Sequence, residues 1–170
     1  MRGGLVFRTL SLAAWLFHAG AGYAQTQPEP ALESFQAFLF NAKTGEFSAD
    51  ILKAPRPELG NVPIGPFASV STLVTVKVRV GPSAAPKALR VHLVATESGT
   101  AKFAGKRTAK RSRVVLDKSE PLGPANSDGF AYVGFWLSGT GCREIRLEAQ
   151  LTGRAGAAKI SDVIPFICYE

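Results

Sequence analysis

Histidine is almost missing from this chain. There are two in 170 residues. One, His18, lies in an N-terminal stretch expected to be removed, which leaves His92 alone. A Ser-His-Asp triad or a zinc site built on paired histidines therefore has little to draw on. His92 alternates with apolar neighbours, so it is expected to point outward beside Arg90, as a solvated surface residue. Cysteine is as scarce: Cys142 and Cys168 are the whole supply, and no Cys-x-x-Cys spacing suggests a redox pair. No Gly-x-Ser-x-Gly elbow occurs. The stretch from Gly99 to Arg107 misses the phosphate-loop spacing by one residue, and Arg107 stands where a hydroxyl would hold magnesium. Glu144 and Glu148 would lie roughly 13 Å apart along a strand, too far for a glycosidase pair. Asn126 and Asp128 are too few for a calcium loop. These absences lead us to expect no catalytic residue, no metal site and no cofactor.

Long apolar runs are lacking too. The longest candidate, about Thr9 to Phe17, is short of the roughly 20 residues a bilayer needs. It follows Arg2 and Arg8, with no acidic residue nearby, and gives way to small residues at Ala19, Gly20, Ala21, Gly22 and Ala24. This is the layout of a secretory signal, residues 1–24, with cleavage leaving Gln25 first. No cysteine at the junction offers a lipid anchor. Cleavage removes Arg2 and Arg8 and lowers the formal net charge from +7 to +5. No membrane span is then expected. The Ala-, Gly-, Pro- and Arg-rich composition suggests a bacterial source, and the expected location is periplasmic or extracellular, where a disulfide is permissible.

What is present is alternation. Residues 25–33 read as a flexible, proline-bearing lead-in. From residue 34 to 170 the chain reads as one domain of short strands. Val74, Val76, Val78 and Val80 alternate with more polar neighbours, as do Leu89, Val91, Leu93 and Ala95, and again Ile145, Leu147, Ala149 and Leu151. A period of two puts one set on each face of a pleated strand. Phe35–Phe40, Arg113–Asp117, Phe130–Leu137 and Lys159–Tyr169 complete about seven strands, separated by Gly- and Pro-bearing turns. Ala54–Pro66, with four prolines, reads as a loop or edge segment. The fold class is all-β, an antiparallel sandwich. In architecture alone it resembles immunoglobulin-like and fibronectin type III-like domains. The two cysteines do not bracket Trp136, so the antibody hallmark is absent.

Three features rise above this background. The first is a basic run, Lys102, Lys106, Arg107, Lys110, Arg111 and Arg113, with no acidic residue between Glu97 and Asp117. It falls on a long loop or a hairpin. It would attract an anionic glycan, lipid head group or acidic protein patch, or simply be a solvated loop that guards an edge. Nucleic acid is not expected, because only Phe103 offers stacking. The second is the strand with Phe130, Tyr132 and Trp136 on one face and aliphatic residues on the other. If the aliphatic face is core, three aromatics are left as a platform. If the strand is covered on both sides, the Pro-rich segment lies over the aromatics, and this buried reading is the one we expect. The third is a Cys142–Cys168 disulfide across a hairpin turning at Gly153–Gly156. The two positions differ in strand parity, and a bulge near Gly141 would repair the match.

The function expected from these features is an exported, non-catalytic binding or interaction module for an unidentified protein, anionic glycan or lipid. Two alternatives differ in class: a small eight-stranded outer-membrane barrel, whose strands also alternate, and an enzyme whose site the sequence does not display.

Overall fold

The computed structural model describes residues 30–53, 59–60, 71–80, 89–98, 100–103, 106–109, 112–153 and 159–167. The signal segment 1–24, residues 25–29 of the lead-in, and most of the Pro-rich stretch 54–66 lie outside these residues. So do Lys110, Arg111 and Cys168.

Seven strands of six residues or more form two antiparallel four-stranded sheets, joined by one short strand. The first sheet runs β2 (Glu46–Phe47), β1 (Ala31–Asn41), β4 (Ser71–Arg79), β9 (Phe130–Ser138). The second runs β11 (Lys159–Ile164), β10 (Ile145–Thr152), β5 (Arg90–Glu97), β8 (Arg113–Pro121). Among the described residues the two sheets do not close into a barrel, so the barrel alternative is corrected: each sheet ends in strands with no neighbour on the far side. Two short pairs complete the set. β3 (Leu59–Gly60) pairs parallel with β12 (Phe166–Ile167), and β6 (Thr100–Phe103) pairs antiparallel with β7 (Lys106–Ala109). No helix of the described residues is long and apolar enough to cross a membrane.

The alternating residues explain the two layers. Val74, Val76 and Val78 of β4 meet Phe135, Val133 and Ala131 of β9 across the ladder, and all six are buried. Val91, Leu93 and Ala95 of β5 pair with Leu151, Ala149 and Leu147 of β10, again all buried. These inward sets face each other to form one core, with Phe35, Ala37 and Leu39 of β1 and Ile164 of β11 closing its side. Burial of such apolar area is the main driving term, about 25 cal/mol per Å² removed from water.

Two boundaries differ from expectation. β1 opens at Ala31, inside the expected lead-in, because a bulge between Leu32 and Ser34 keeps the strand paired with β4 as far as Arg79. The β10–β11 register stops at Ile145 opposite Ile164; after Pro165 the chain leaves β10 and pairs with β3. Cys142 thus sits in a bend before β10, half-buried, not in a ladder position. Cys142 is not a free thiol.

Candidate functional site

β9 decides the question of the aromatics. Its aliphatic set, Ala131, Val133, Phe135 and Leu137, is buried, so its other set must face out. Trp136 is 43% and Tyr132 48% exposed, and Phe130 is half-exposed. The expectation that these rings are covered is therefore corrected. β9 is an edge strand rather than a central one.

The outward face of the first sheet is aromatic over more than one strand. In sheet order Trp136 stands opposite Leu73, and Leu73 opposite Phe38. Phe40, next on the outer face of β1, faces Phe47 of β2. The small Ser71 lies between the Phe40 and Ser138 positions, which leaves room for Phe40 and Trp136 to meet diagonally. Their centroids are 5.4 Å apart in an edge-on arrangement. Phe40 and Phe47 are 5.3 Å apart, and Phe47 and Trp136 6.3 Å. Such tilted and edge-to-face pairs are the favoured geometries of aromatic quadrupoles. Phe47 is 47% exposed, so the cluster presents ring surface to solvent instead of sealing itself.

Local structure holds Phe47 in place. The turn after β1 closes with the Gly45 N–H donating to Asn41 O at 2.8 Å, while Asn41 Oδ1 accepts from Lys43 N at 2.9 Å. Gly45 has φ 76°, a conformation that costs glycine nothing and most other residues strain. Beyond β2, side chains take over the edge of β1. Ser48 Oγ accepts from Leu39 N at 2.9 Å and Asp50 Oδ1 from Ala37 N at 3.0 Å.

The opposite end of the same face is charged. Lys77 Nζ lies 3.7 Å from the Phe130 ring centroid, a cation–π contact. The Arg79 Nε–H donates to Glu33 Oε1 at 2.6 Å, and Lys77 Nζ lies 4.0 Å from the same carboxylate. A groove of about 640 Å³ starts here and runs over the edge of β1 toward β11. Glu33, Gln36, Asp50, Lys53, Tyr132 and Asp162 are among its lining residues. Among the described residues no three His, Cys, Asp or Glu side chains gather as a metal site. The chain matches no protein-family model. No curated protein matches it either.

The basic run is split. Lys102 stands opposite Arg107 and Phe103 opposite Lys106 in the β6–β7 hairpin. Arg113 belongs elsewhere: its Nε is 3.2 Å from Glu97 Oε2, and Arg143 Nη1 is 3.6 Å from the same oxygen. It is therefore removed from the unneutralised set. His92 does face outward, and its Nε2 is 2.7 Å from Asp117 Oδ1.

Sequence reading missed Phe40 and Phe47. The signal available was the stretch Phe38–Leu39–Phe40, apolar at three consecutive positions. On a strand with one wet face, that pattern leaves an apolar residue outside. Phe47 carried no signal, because a two-residue strand has no periodicity to read.

Proposed function

We propose that this chain is an exported, non-catalytic interaction module that binds through the outer face of β2-β1-β4-β9. The exposed cluster of Phe40, Phe47 and Trp136, with Tyr132 farther along β9, carries this reading. Two half-exposed rings side by side leave apolar area in water that a partner protein or the flat face of a sugar would cover. The scaffold fits an immunoglobulin-like or fibronectin type III-like sandwich. Counting only long strands, the first, second and fifth share one sheet, and the third, fourth, sixth and seventh share the other. A constant-type immunoglobulin domain would put the fourth beside the fifth. Here β8 lies beside β5, so the fibronectin type III kind is the nearer description.

With Trp15 in the leader, Trp136 is the sole tryptophan of the mature chain and reports on its own site. Titration with soluble glycans and with fractions of extracytoplasmic extract should shift and blue-move its emission for the true ligand class. Trp136→Ser and Phe47→Ser should both abolish capture of that ligand. Unchanged capture by both variants would reject the face. Intact mass of the protein from its native compartment tests export and the proposed Cys142–Cys168 bridge together. The expected species starts at Gln25 and gains mass on reduction by one pair of hydrogens.

The basic run, uninterrupted by any acidic residue between Glu97 and Asp117, supports a second contact, with an anionic glycan, lipid head group or acidic protein.

A further inference from the structure

An unpaired strand edge is a template for another strand, and folded proteins blunt such edges. Three of the four edges here are blunted. β2 is two residues long, and Ser48 and Asp50 cap the N–H groups beyond it. β8 places Lys118 and Glu120 at inward positions, opposite Leu93 and Val91, and ends in Pro121. β11 places Asp162 at an inward position, opposite Leu147; its carboxylate accepts from Val163 N at 2.7 Å, and Pro165 follows the strand. β9 carries none of these devices. Its nine residues include no charge and no proline, and its register with β4 is unbroken.

The free groups of β9 can be assigned. Val80 N donates to Gly129 O at 2.8 Å, and an antiparallel ladder alternates from there. Ala131, Val133, Phe135 and Leu137 therefore bond toward β4. The N–H and C=O groups of Phe130, Tyr132, Gly134, Trp136 and Ser138 turn to the free side. Asn126 takes the first of these: its Oδ1 accepts from Phe130 N at 2.9 Å, and its N–H donates to Phe130 O at 2.7 Å. Beside Tyr132, Gly134 and Trp136 no strand lies among the described residues.

We propose that a second copy of this chain pairs with β9, antiparallel, about a two-fold axis at Gly134. Such an isologous contact needs a surface that complements itself. Gly134 is the middle of the free triplet, and its two flanking members are aromatic. The register that joins all three sets Tyr132 opposite the partner subunit's Trp136, and Trp136 opposite the partner subunit's Tyr132. Aromatic pairs are favoured cross-strand neighbours. At the axis the glycines leave room between the rings, and no charge on the strand repels its copy. The pairing groups lie in the plane of the sheet while the rings face out of it. The dimer would join two aromatic faces into one and would stand or fall independently of what that face binds.

Sedimentation equilibrium of the purified protein tests the pairing, with two variants. Gly134→Pro removes an N–H on the free side without touching the β4 ladder. Gly134→Lys sets two ammonium groups against each other at the axis. A Cβ at this position meets Leu73 Cδ1 at 3.5 Å, ordinary contact, so the substituted chain has room to fold. Unchanged thermal melting of the variants under dilute conditions confirms that folding. The parent should dimerise at micromolar concentration, and each variant should weaken association by about tenfold or more. Amide exchange at Tyr132, Gly134 and Trp136 should slow as parent concentration rises. A parent that stays monomeric to millimolar concentration, or variants that associate as it does, would overturn the proposal. Equal exchange at every concentration would overturn it too, leaving the edge to a strand of another protein.

Discussion

The two outer faces of this sandwich have little in common. That of β11-β10-β5-β8 is an ordinary wet face. Arg90, His92, Asp117, Arg146, Glu148 and Lys159 alternate with the core residues. Arg90 Nη2 donates to Ser119 O at 2.8 Å, and His92 pairs with Asp117. That of β2-β1-β4-β9 carries Phe40, Phe47 and Trp136 at one end and a lysine over Phe130 at the other. The backbone and the core are alike on both sides. The same inward valines and leucines would hold the sheets together whatever stood outside. An outward aromatic cluster that the core does not need is therefore a feature to explain by contact with something else. The edges follow the same division: the polar sheet carries inward charges on both of its edges, and in the aromatic sheet no strand among the described residues lies beside the free edge of β9.

The largest expected effect tests whether the aromatic face is in truth a second core. Leu147 is fully buried between the sheets, so Leu147→Ala should cost about 2–5 kcal/mol, as cavity-forming substitutions do. Trp136→Ser should cost about 1 kcal/mol, the worth of edge-on ring contacts at a half-exposed site. Denaturant melts of the two variants read the difference directly. Equal costs would erase the contrast between the faces and remove the reason to assign Trp136 to binding.

A smaller effect separates the aromatic face from the basic hairpin. Reversing the charges of Lys106, Arg107, Lys110 and Arg111 should lower retention on an immobilised sulfated glycan and flatten its salt dependence. Stability should stay within about 0.5 kcal/mol, the usual range for surface changes. Trp136→Ser should leave that retention unchanged. Should it fall equally in both variants, the two features form one site.

The smallest effect concerns the guarded edge of β8. A hydrogen bond from Lys118, whose Nζ lies 2.6 Å from Glu120 Oε1, holds the Glu120 carboxyl below its ordinary value; slight desolvation opposes this, and the charges of Lys118 and Arg90 add to it. A carboxylate depressed in the folded state adds stability above its unfolded pKa. That contribution is lost as pH falls through the folded pKa. In Lys118→Met the Glu120 titration, followed by NMR, should move upward and the acid sensitivity of this edge should decline. A Glu120 that titrates unchanged would show that Lys118 guards the edge by its inward position alone.

How far each feature could be read depends on its range along the chain. Alternation is local, and it marked the apolar sets of β4, β5 and β10 and the wet position of His92, while the other long strands were read from apolar runs between turn signals. It also placed Phe130, Tyr132 and Trp136 on a common face. It is silent on which of two apolar faces is covered, because that depends on what packs over each face of the sheet. Tyr132 and Trp136 stay 48% and 43% exposed, and a layer packed over this face would bury the same residues. The pairing of Phe40 with Phe47 needed a turn at Gly45 and a two-residue strand, which leave no periodic trace. The basic run was visible as composition, yet Glu97 had claimed Arg113 from a neighbouring strand.

The sequence by itself determined that this chain is all-β, how the residues of its alternating strands divide between two faces, and that it holds few of the usual catalytic groups. These follow from residue type and a two-residue period. Only the tertiary structure decided that Tyr132 and Trp136 are outside, that among the described residues no strand lies beside the free edge of β9, and that Cys142 sits in a bend before β10 instead of in a ladder. Each of these depends on which strand lies beside or above another, and such neighbours come from distant parts of the chain.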